Sequence, residues 1–97
     1  MPRVVLASAL SRWLPAEATG ASREAALDLD AEDLRALLDA LFARHPNLRG
    51  YVLDEQDTVR HHIAIFVDGQ AIRDKANLRQ PLAASSEVYV MQALSGG

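Results

Sequence analysis

The pattern of apolar and polar residues along the chain predicts five β-strands and one helix. The clearest strand is His61–Val67, because its residues alternate so that Ile63, Ile65 and Val67 share one face. Asp68-Gly69, directly after it, favours a two-residue hairpin turn that returns the chain as a paired strand. The other predicted strands are short stretches rich in apolar residues: Val4–Ala9, Ala25–Leu29, Gln70–Ile72 and Glu87–Leu94.

The segment that follows residue 30 has the period of an amphipathic α-helix. Asp30 is predicted as the N-cap, and Pro46 disfavours helical geometry at the residue before it, so the helix is expected to end there. The connection Asn47–Arg60 is predicted to be irregular, with a turn at Gly50. Large apolar side chains recur at i, i+3, i+4 and i+7, which places them in one stripe on the helix surface: Leu34, Leu37, Leu38, Leu41 and Phe42.

The order of these elements predicts a two-layer α+β domain in which one main helix covers one face of a sheet. Because the helix crosses over between the early and late strands, the first and last strands are expected to pair in parallel at the centre. This is the β-grasp, or ubiquitin-like, topology, with a mixed sheet of four to five strands. We predict that the domain spans residues 1–92 and that a flexible C-terminal tail spans residues 93–97.

Length, charge and cysteine content narrow the class of protein. The chain has 97 residues, which suit one compact domain with a single core. Its formal net charge is −3 and its basic residues are scattered, whereas a nucleic-acid binder needs a concentrated basic face. The absence of cysteine excludes disulfides, thiolate zinc sites and a cysteine nucleophile. No apolar run reaches the roughly 20 residues that span a bilayer, and the N-terminal one is too short for a signal peptide, so we expect a cytoplasmic protein without a membrane partner.

The last residues of the chain follow directly on the final predicted strand. Glycines lack Cβ atoms, so the terminal Gly96-Gly97 pair can enter a channel too narrow for other residues, with Leu94 and Ser95 leading into it. The α-carboxylate of Gly97 is sterically open, so another enzyme could adenylylate it and a nucleophile could then attack it. The alternative is a frayed terminus, since chain ends are commonly disordered and rich in small polar residues.

Three features near the C-terminus occur in one order along the chain. They are the strand and turn of residues 63–70, the Glu87–Val90 strand, and the Gly-Gly end. In this combination the chain resembles the MoaD/ThiS family of small ubiquitin-like sulfur carriers, most specifically over residues 63–97.

Two positions depart from the usual pattern of that family. The family usually has Gly-Asp before the Glu-Val of the last strand, where this chain has Ser85-Ser86. It often has two prolines before the tail, where this chain has Gln92-Ala93. The first difference affects the geometry of the turn, and the second affects the stiffness of the tail.

The resemblance implies a function in sulfur transfer. A ubiquitin-activating-like adenylyltransferase would use ATP to adenylylate the Gly97 carboxylate, and a sulfur donor would displace AMP to leave a thiocarboxylate. A sulfur-accepting synthase would then use the sulfur in molybdopterin, cysteine or methionine biosynthesis. The implied role is that of a carrier and co-substrate rather than an enzyme, with no catalytic residue and no bound cofactor of its own.

Two other functions remain open. A protein modifier would use the same fold and the same activation but would join Gly97 to lysine amines of target proteins. A non-covalent ubiquitin-like binding module would use the fold alone, and its Gly-Gly would be incidental. The protein modifier requires a free Gly97 carboxylate, whereas the binding module does not.

Two polar clusters suggest a metal site but lack the necessary pattern. His61 and His62 are adjacent on a predicted strand, so their side chains are expected to point to opposite faces. Asp54, Glu55 and Asp57 lack the spacing of a calcium loop and are expected to be solvated. We therefore predict no metal site.

Phe66, Tyr89 and Met91 are predicted to share the sheet face that the helix does not cover, because they alternate with the strand residues assigned to the core. A contiguous apolar patch on a surface usually marks an interaction site, so these three are the predicted partner-binding residues. In the alternative interpretation, Tyr51–Leu53 folds over them and makes the patch a minor core.

Overall fold

The computed structural model describes residues 1–7 and 25–92 of the chain. Several strands are one or two residues shorter than predicted, and His61 and His62 form a turn instead of the start of a strand. The predicted end of the last strand, at Leu94, lies outside the described residues. In chain order the elements are β1 (Arg3–Leu6), β2 (Ala25–Asp28), α1 (Leu34–Arg44), a 3₁₀-helix (Pro46–Leu48), α2 (Arg49–Val52), β3 (Ile63–Val67), β4 (Gln70–Ala71) and β5 (Glu87–Gln92).

The strands form one mixed sheet in the order β2-β1-β5-β3-β4. The central pair, β1 and β5, is parallel, with Val4 opposite Val88. The other neighbouring pairs, β1 with β2, β3 with β5 and β3 with β4, are antiparallel. Two parallel central strands joined through a helical crossover and flanked by hairpins form the β-grasp topology, which confirms the predicted α+β fold.

The core lies between α1 and the sheet face that the helix covers. Leu78, in the irregular segment before β5, is also buried there, and Leu82 packs against the cluster. The sheet contributes alternate strand residues, all buried: Val4, Leu6, Ile63, Ile65, Val67, Val88 and Val90. The helix contributes the predicted stripe, all of it buried: Leu34, Leu37, Leu38, Leu41 and Phe42.

The helix begins later than predicted, and the assignment of Asp30 as its N-cap is wrong. Asp33 is the N-cap, and its Oδ1 accepts a hydrogen bond from the Ala36 amide at 2.8 Å. Asp33 also forms an antiparallel β-bridge with Pro81, in the segment that leads to β5. This pairing holds the backbone extended up to Asp33, so the helix cannot start earlier even though Asp30 is an equally suitable capping residue.

The first amides of α1 are occupied by the chain itself. The Leu34 amide donates to the Gln80 carbonyl at 2.9 Å, and the Arg35 amide donates to the Leu78 carbonyl at 2.7 Å. Free amides at a helix N-terminus commonly bind anions. Because the segment before β5 satisfies these two, this end of the helix serves packing.

The connection after α1 is more ordered than predicted, and the expected turn at Gly50 is wrong. Gly50 lies inside α2, and the residues before α2 form the 3₁₀-helix. Leu48 and Val52 are fully buried at helical spacing, so their burial favours a helix where glycine alone suggests a turn. In the described part of the chain, no helix is long and apolar enough to cross a membrane.

Asp57 was predicted to be solvated, but it links this connection to α1. Its carboxylate forms ion pairs with Arg35 of α1, at 3.2 Å, and with Arg49 of α2. The backbone of Asp57 has φ 61°, in the left-handed region that aspartate tolerates better than most residues. Partly exposed ion pairs contribute little free energy, so their main effect is to orient the connection.

Candidate functional site

The tail extends from the central strand of the sheet. β5 pairs with β1 on one side and with β3 on the other, and the last residue of β5, Gln92, lies opposite Ile63. Beyond the end of β1, the Ala7 amide still donates to the Val90 carbonyl at 2.9 Å. The strand is therefore held on both sides close to the point where the tail begins.

The tail itself, with the predicted reactive residues Leu94, Ser95, Gly96 and Gly97, lies outside the described residues. Its role therefore stays a prediction. The described structure contributes the position of the tail's root at residue 92, which is fixed by the pairing of β5.

The start of β5 is fixed by a hydrogen-bond network around Ser86. Asp68 Oδ1 accepts from the Glu87 amide at 2.9 Å, and Asp68 Oδ2 accepts from the Ser86 hydroxyl at 3.1 Å. The hydroxyl oxygen of Ser86, which is buried, accepts in turn from the Ala83 amide at 2.9 Å. Serine at this departure from the family pattern thus ties the turn before β5 to the β3–β4 hairpin.

The β3–β4 hairpin has the predicted two-residue turn. Val67 pairs with Gln70, and the residues between them, Asp68 and Gly69, have φ 51° and 86°. Positive φ at both central residues is the signature of a type I′ turn, whose twist matches that of the flanking strands. The same aspartate therefore shapes the hairpin and anchors β5.

The predicted partner-binding residues lie on one face of the sheet. Phe66 is directly opposite Tyr89, and Met91 lies opposite Ala64. All of them are half-buried, and they alternate along β3 and β5 with buried residues of the core, so they face away from α1. The structure brings Phe66, Tyr89 and Met91 together on one face, as the sequence predicted, and their role in binding a partner stays a prediction.

The strand register extends this patch across the whole sheet. Val5 pairs with Tyr89 and also with Ala26, and Phe66 pairs with Ala71. An unbroken apolar row, here called the open-face row, thus crosses all five strands: Ala26, Val5, Tyr89, Phe66 and Ala71. Sequence reasoning missed three of these residues, because the relevant signal is the pairing between strands, which no single stretch of sequence contains.

In the alternative interpretation Tyr51–Leu53 folds over the patch, but two of these three residues lie in the main core. Val52 and Leu53 are fully buried and belong to the same core cluster as Leu37 and Ile65. Tyr51 is exposed. Val52 and Leu53 therefore enlarge the main core and do not build a second, minor core on the open face.

The open face becomes charged at the end distant from the tail. Arg3 Nε donates to Asp28 Oδ1 at 3.0 Å, and Arg3 also lies opposite Glu87. The hydrogen bond from Arg3 lowers the pKa of Asp28, and the same bond raises the pKa of the Arg3 guanidinium. The open face thus has a charged end, an apolar middle and an apolar end near the tail.

The two adjacent histidines do not form part of a recognisable metal site. His61 and His62 lie in the turn before β3, and their rings meet edge to face with centroids 6.2 Å apart. Residues 1–7 and 25–92 contain no group of three or more histidine and acidic side chains placed to hold a metal ion.

The sequence matches the model of the ThiS family over residues 14–97. No curated protein is significantly similar to the chain. Among solved structures, SAMP1 from Haloferax volcanii is 29% identical, with a TM-score of 0.69 over 99% of this chain and 98% of that one.

Two further structures share the fold at lower identity. CysO from Mycobacterium tuberculosis is 17% identical, with a TM-score of 0.71 over 94% of this chain and 99% of that one. The BexX/CysO complex from Amycolatopsis orientalis contains a chain that is 15% identical, with a TM-score of 0.67 over 97% of this chain and 99% of that one. At these identities the similarity concerns the fold alone.

Proposed function

The chain belongs to the ThiS family, and from that membership we propose that it is a sulfur carrier whose C-terminal Gly97 is converted to a thiocarboxylate. In this role it is the co-substrate of other enzymes in the cytoplasm and has no catalytic residue of its own. ATP and the sulfur donor are bound by the partner enzyme and not by the carrier.

The proposed chemistry takes place at one carboxylate. An oxygen of the Gly97 carboxylate attacks the α-phosphorus of ATP and releases pyrophosphate, which leaves an acyl-adenylate. Sulfide then attacks the carbonyl carbon, the bond to AMP breaks with its electron pair leaving on AMP, and loss of the sulfur-bound proton to water leaves a thiocarboxylate. A sulfur-accepting synthase consumes this sulfur, in the formation of molybdopterin or of cysteine or methionine.

The observation that carries the proposal is the placement of β5. A reactive group must be held close to its productive geometry, and groups mounted on paired strands are positioned better than groups on loops. β5 is paired on both sides and fixed at its start by Asp68 and Ser86, so the position from which the tail leaves is well defined. The glycines beyond it provide the narrow end that enters a partner's active site.

The open-face row is the proposed docking surface for the adenylyltransferase. It lies on the face away from α1 and continues through Met91 toward the end of the sheet from which the tail leaves. Aromatic side chains near the centre of an interface commonly contribute most of its binding energy. Phe66 and Tyr89 occupy that central position in this row.

A protein modifier is the second candidate, favoured by one specific observation. SAMP1 from Haloferax volcanii, at 29% identity over nearly the whole chain, is described as a small archaeal modifier protein. A modifier would use the same activated Gly97, but a lysine amine would attack the carbonyl carbon and form an amide. The two functions therefore share activation and differ in the nucleophile that follows.

The proposal is tested by intact mass after incubation with ATP, a ubiquitin-activating-like adenylyltransferase from the same organism, and sulfide. The wild-type chain is expected to gain the mass of one oxygen replaced by sulfur at its C-terminus. Deletion of Gly97 is expected to abolish the change, because it moves the carboxylate by roughly 3.3–3.6 Å, and displacements near 1 Å already cost about a hundredfold in rate. Gly96→Val is expected to fail as well, since a β-branched residue is bulky and restricts the backbone.

Gly50→Ala, a glycine substitution in α2, is the matched control and is expected to react normally. If the Gly97 deletion incorporated sulfur at the normal rate, the proposed carrier function would be wrong, and a non-covalent binding module would be the remaining function. Amide-linked conjugates with other proteins, formed without a thiocarboxylate, would favour the modifier.

A further inference from the structure

Lys75 is the only lysine of the chain, and its side-chain amine is occupied by main-chain carbonyls. Lys75 is half-buried as a residue, and its Nζ donates to the carbonyl of Ile63 at 2.8 Å, to that of His61 at 3.2 Å and to that of Arg60 at 3.4 Å. A lysine ammonium has three N–H donors and no acceptor, so these contacts engage all of its donors. The carbonyl of Ile63 lies on the side of β3 away from β5. The two residues of β4 pair only with Phe66 and Val67, so Lys75 supplies the donor for a carbonyl that β4 does not reach.

We propose that this arrangement withholds the only side-chain amine of the protein from acylation, and in particular from acylation by its own activated C-terminus. The second part of the proposal rests on the proposed function, and the first part does not. Apart from three histidines, the other basic residues are all arginines, whose guanidinium groups stay protonated in proteins and do not act as amine nucleophiles.

Acylation would cost Lys75 two of its three carbonyl contacts, in two steps. The neutral amine needed for attack has two N–H groups instead of three, so one carbonyl loses its donor. Its lone pair then forms the N–C bond, the bond from the carbonyl carbon to the leaving group breaks with its electron pair, and the nitrogen loses a proton to water. The amide has a single N–H, so a second carbonyl is left without its donor, and this loss is most costly at the carbonyl of Ile63, a fully buried residue.

Distance alone does not protect this amine. Ile63, whose carbonyl accepts from Lys75, is the residue paired with Gln92 at the root of the tail. Paired strand residues lie about 5 Å apart, and five residues span at most about 18 Å when fully extended. Residues 93–97 are therefore long enough for Gly97 to reach Lys75 of the same chain, so protection depends on the hydrogen bonds of the amine.

The first test compares Lys75 with a lysine placed at an exposed arginine. In the Arg79→Lys variant, both lysines are treated with a limiting amount of the N-hydroxysuccinimide ester of acetic acid, and peptide mass spectrometry follows acetylation at each position. Arg79 is exposed, so the new lysine serves as an internal reference in the same folded molecule. Repeating the reaction in concentrated guanidinium chloride gives the intrinsic reactivity of each site.

We expect Lys75 to react at least about tenfold more slowly than Lys at position 79 in the folded protein, the effect of losing one such hydrogen bond, and at a similar rate after unfolding. A smaller difference in the folded state would overturn the proposal. Arg73→Lys, at a second exposed arginine, replaces the reference if the first variant does not fold.

The second test moves the lysine. Lys75→Arg combined with His61→Lys keeps one lysine and places its amine on an exposed residue two positions from Ile63, at the same end of the sheet as the root of the tail. On activation with ATP and the adenylyltransferase, without sulfide, this variant is expected to form an amide with Gly97 that the wild type does not form. An equal yield of Lys75 amide in the wild type would overturn the proposal. Failure of both chains to form an adenylate would contradict the proposed function instead, and the acetylation result would still stand.

Discussion

Gly50 and Gly69 are the glycines of residues 25–92, and their backbones give them opposite requirements. Gly69 has φ 86° in the hairpin turn, whereas Gly50 lies in α2, and a Cβ at either position would meet no atom within 4 Å. Backbone conformation alone should therefore decide the effect of alanine. Gly69→Ala is expected to lower the free energy of unfolding by about 1–2 kcal/mol, and Gly50→Ala to raise it by about 0.5–1 kcal/mol.

Urea denaturation of the two variants beside the wild type measures both changes. Each substitution adds the same methyl group in open space, so each is the control for the other. Changes of the same sign would mean that packing or the unfolded state, and not φ, governs these positions.

Asp54 makes stability depend on pH through its backbone contacts. Its Oδ1 accepts from the Thr58 amide at 3.0 Å and from the Gln56 amide at 2.8 Å, and these bonds, that from Thr58 first, lower the pKa of the Asp54 carboxyl. A carboxyl whose pKa is lower in the folded than in the unfolded state stabilises the fold above its unfolded pKa, near 3.8. That contribution is lost as the pH falls through the lower, folded pKa.

Asp54→Ala is therefore expected to be less stable than the wild type at neutral pH and to approach it in stability as the pH falls below about 4. Denaturation midpoints across this range give the measurement, and Glu55→Ala, which removes the adjacent exposed carboxylate, is the matched control. A deficit in Asp54→Ala that stays constant down to the lowest pH would show that the carboxylate bonds are not responsible.

At the scale of elements, the contact between α1 and the sheet carries much of the stability. Leu37 is fully buried in the same cluster as Ile65, and we predict that the two side chains touch. Leu37→Ala is expected to lower the free energy of unfolding by about 2–5 kcal/mol. Asp39→Ala, on the exposed side of the same helix, removes an ion pair with Arg35 and is expected to cost only about 0.3–0.5 kcal/mol. A denaturation midpoint for Leu37→Ala equal to that of Asp39→Ala would mean that the helix packs in another register.

The elements were predictable wherever a periodic apolar pattern met a local turn signal. The leucine stripe of α1 and the alternation of β3 specified which face is buried, and the Asp68-Gly69 pair specified the hairpin. The prediction of Asp30 as N-cap was wrong because the bridge from Asp33 to Pro81, formed between distant segments, sets where the helix starts. Helix α2 was missed because a short apolar spacing outweighs the glycine within it.

At the scale of the whole molecule, the open face should bind the activating enzyme while the helix face maintains the fold. Phe66→Ala and Tyr89→Ala are expected to weaken activation, with a cost in binding of at least about 2 kcal/mol if they are central anchors. Arg3→Gln, at the charged end of the same face, is the control and is expected to have a smaller effect on activation. Normal activation of both aromatic variants, together with a large loss of thermal stability, would reassign these residues to packing.

The site was only partly predictable, since it is assembled from separate parts of the chain. Phe66 and Tyr89 were identified because each alternates with core residues along its own strand. Val5 and Ala26 could not be, because their place in the open-face row follows from pairing between β1, β2 and β5. The bond from Ser86 to Asp68 likewise joins residues of two separate turns.

The location of β5 between β1 and β3 also determines when the molecule can fold during its synthesis. Synthesis of α1, which ends at Arg44, is complete roughly 2–10 s before residue 92 is added, at 5–20 residues per second. Until then the strand that lies between β1 and β3 is missing, so these two strands cannot be joined in one sheet. A ribosome that stops early therefore releases a chain without the middle of its sheet, which proteases can degrade. Copies that survive folded are those in which translation has already reached the root of the tail.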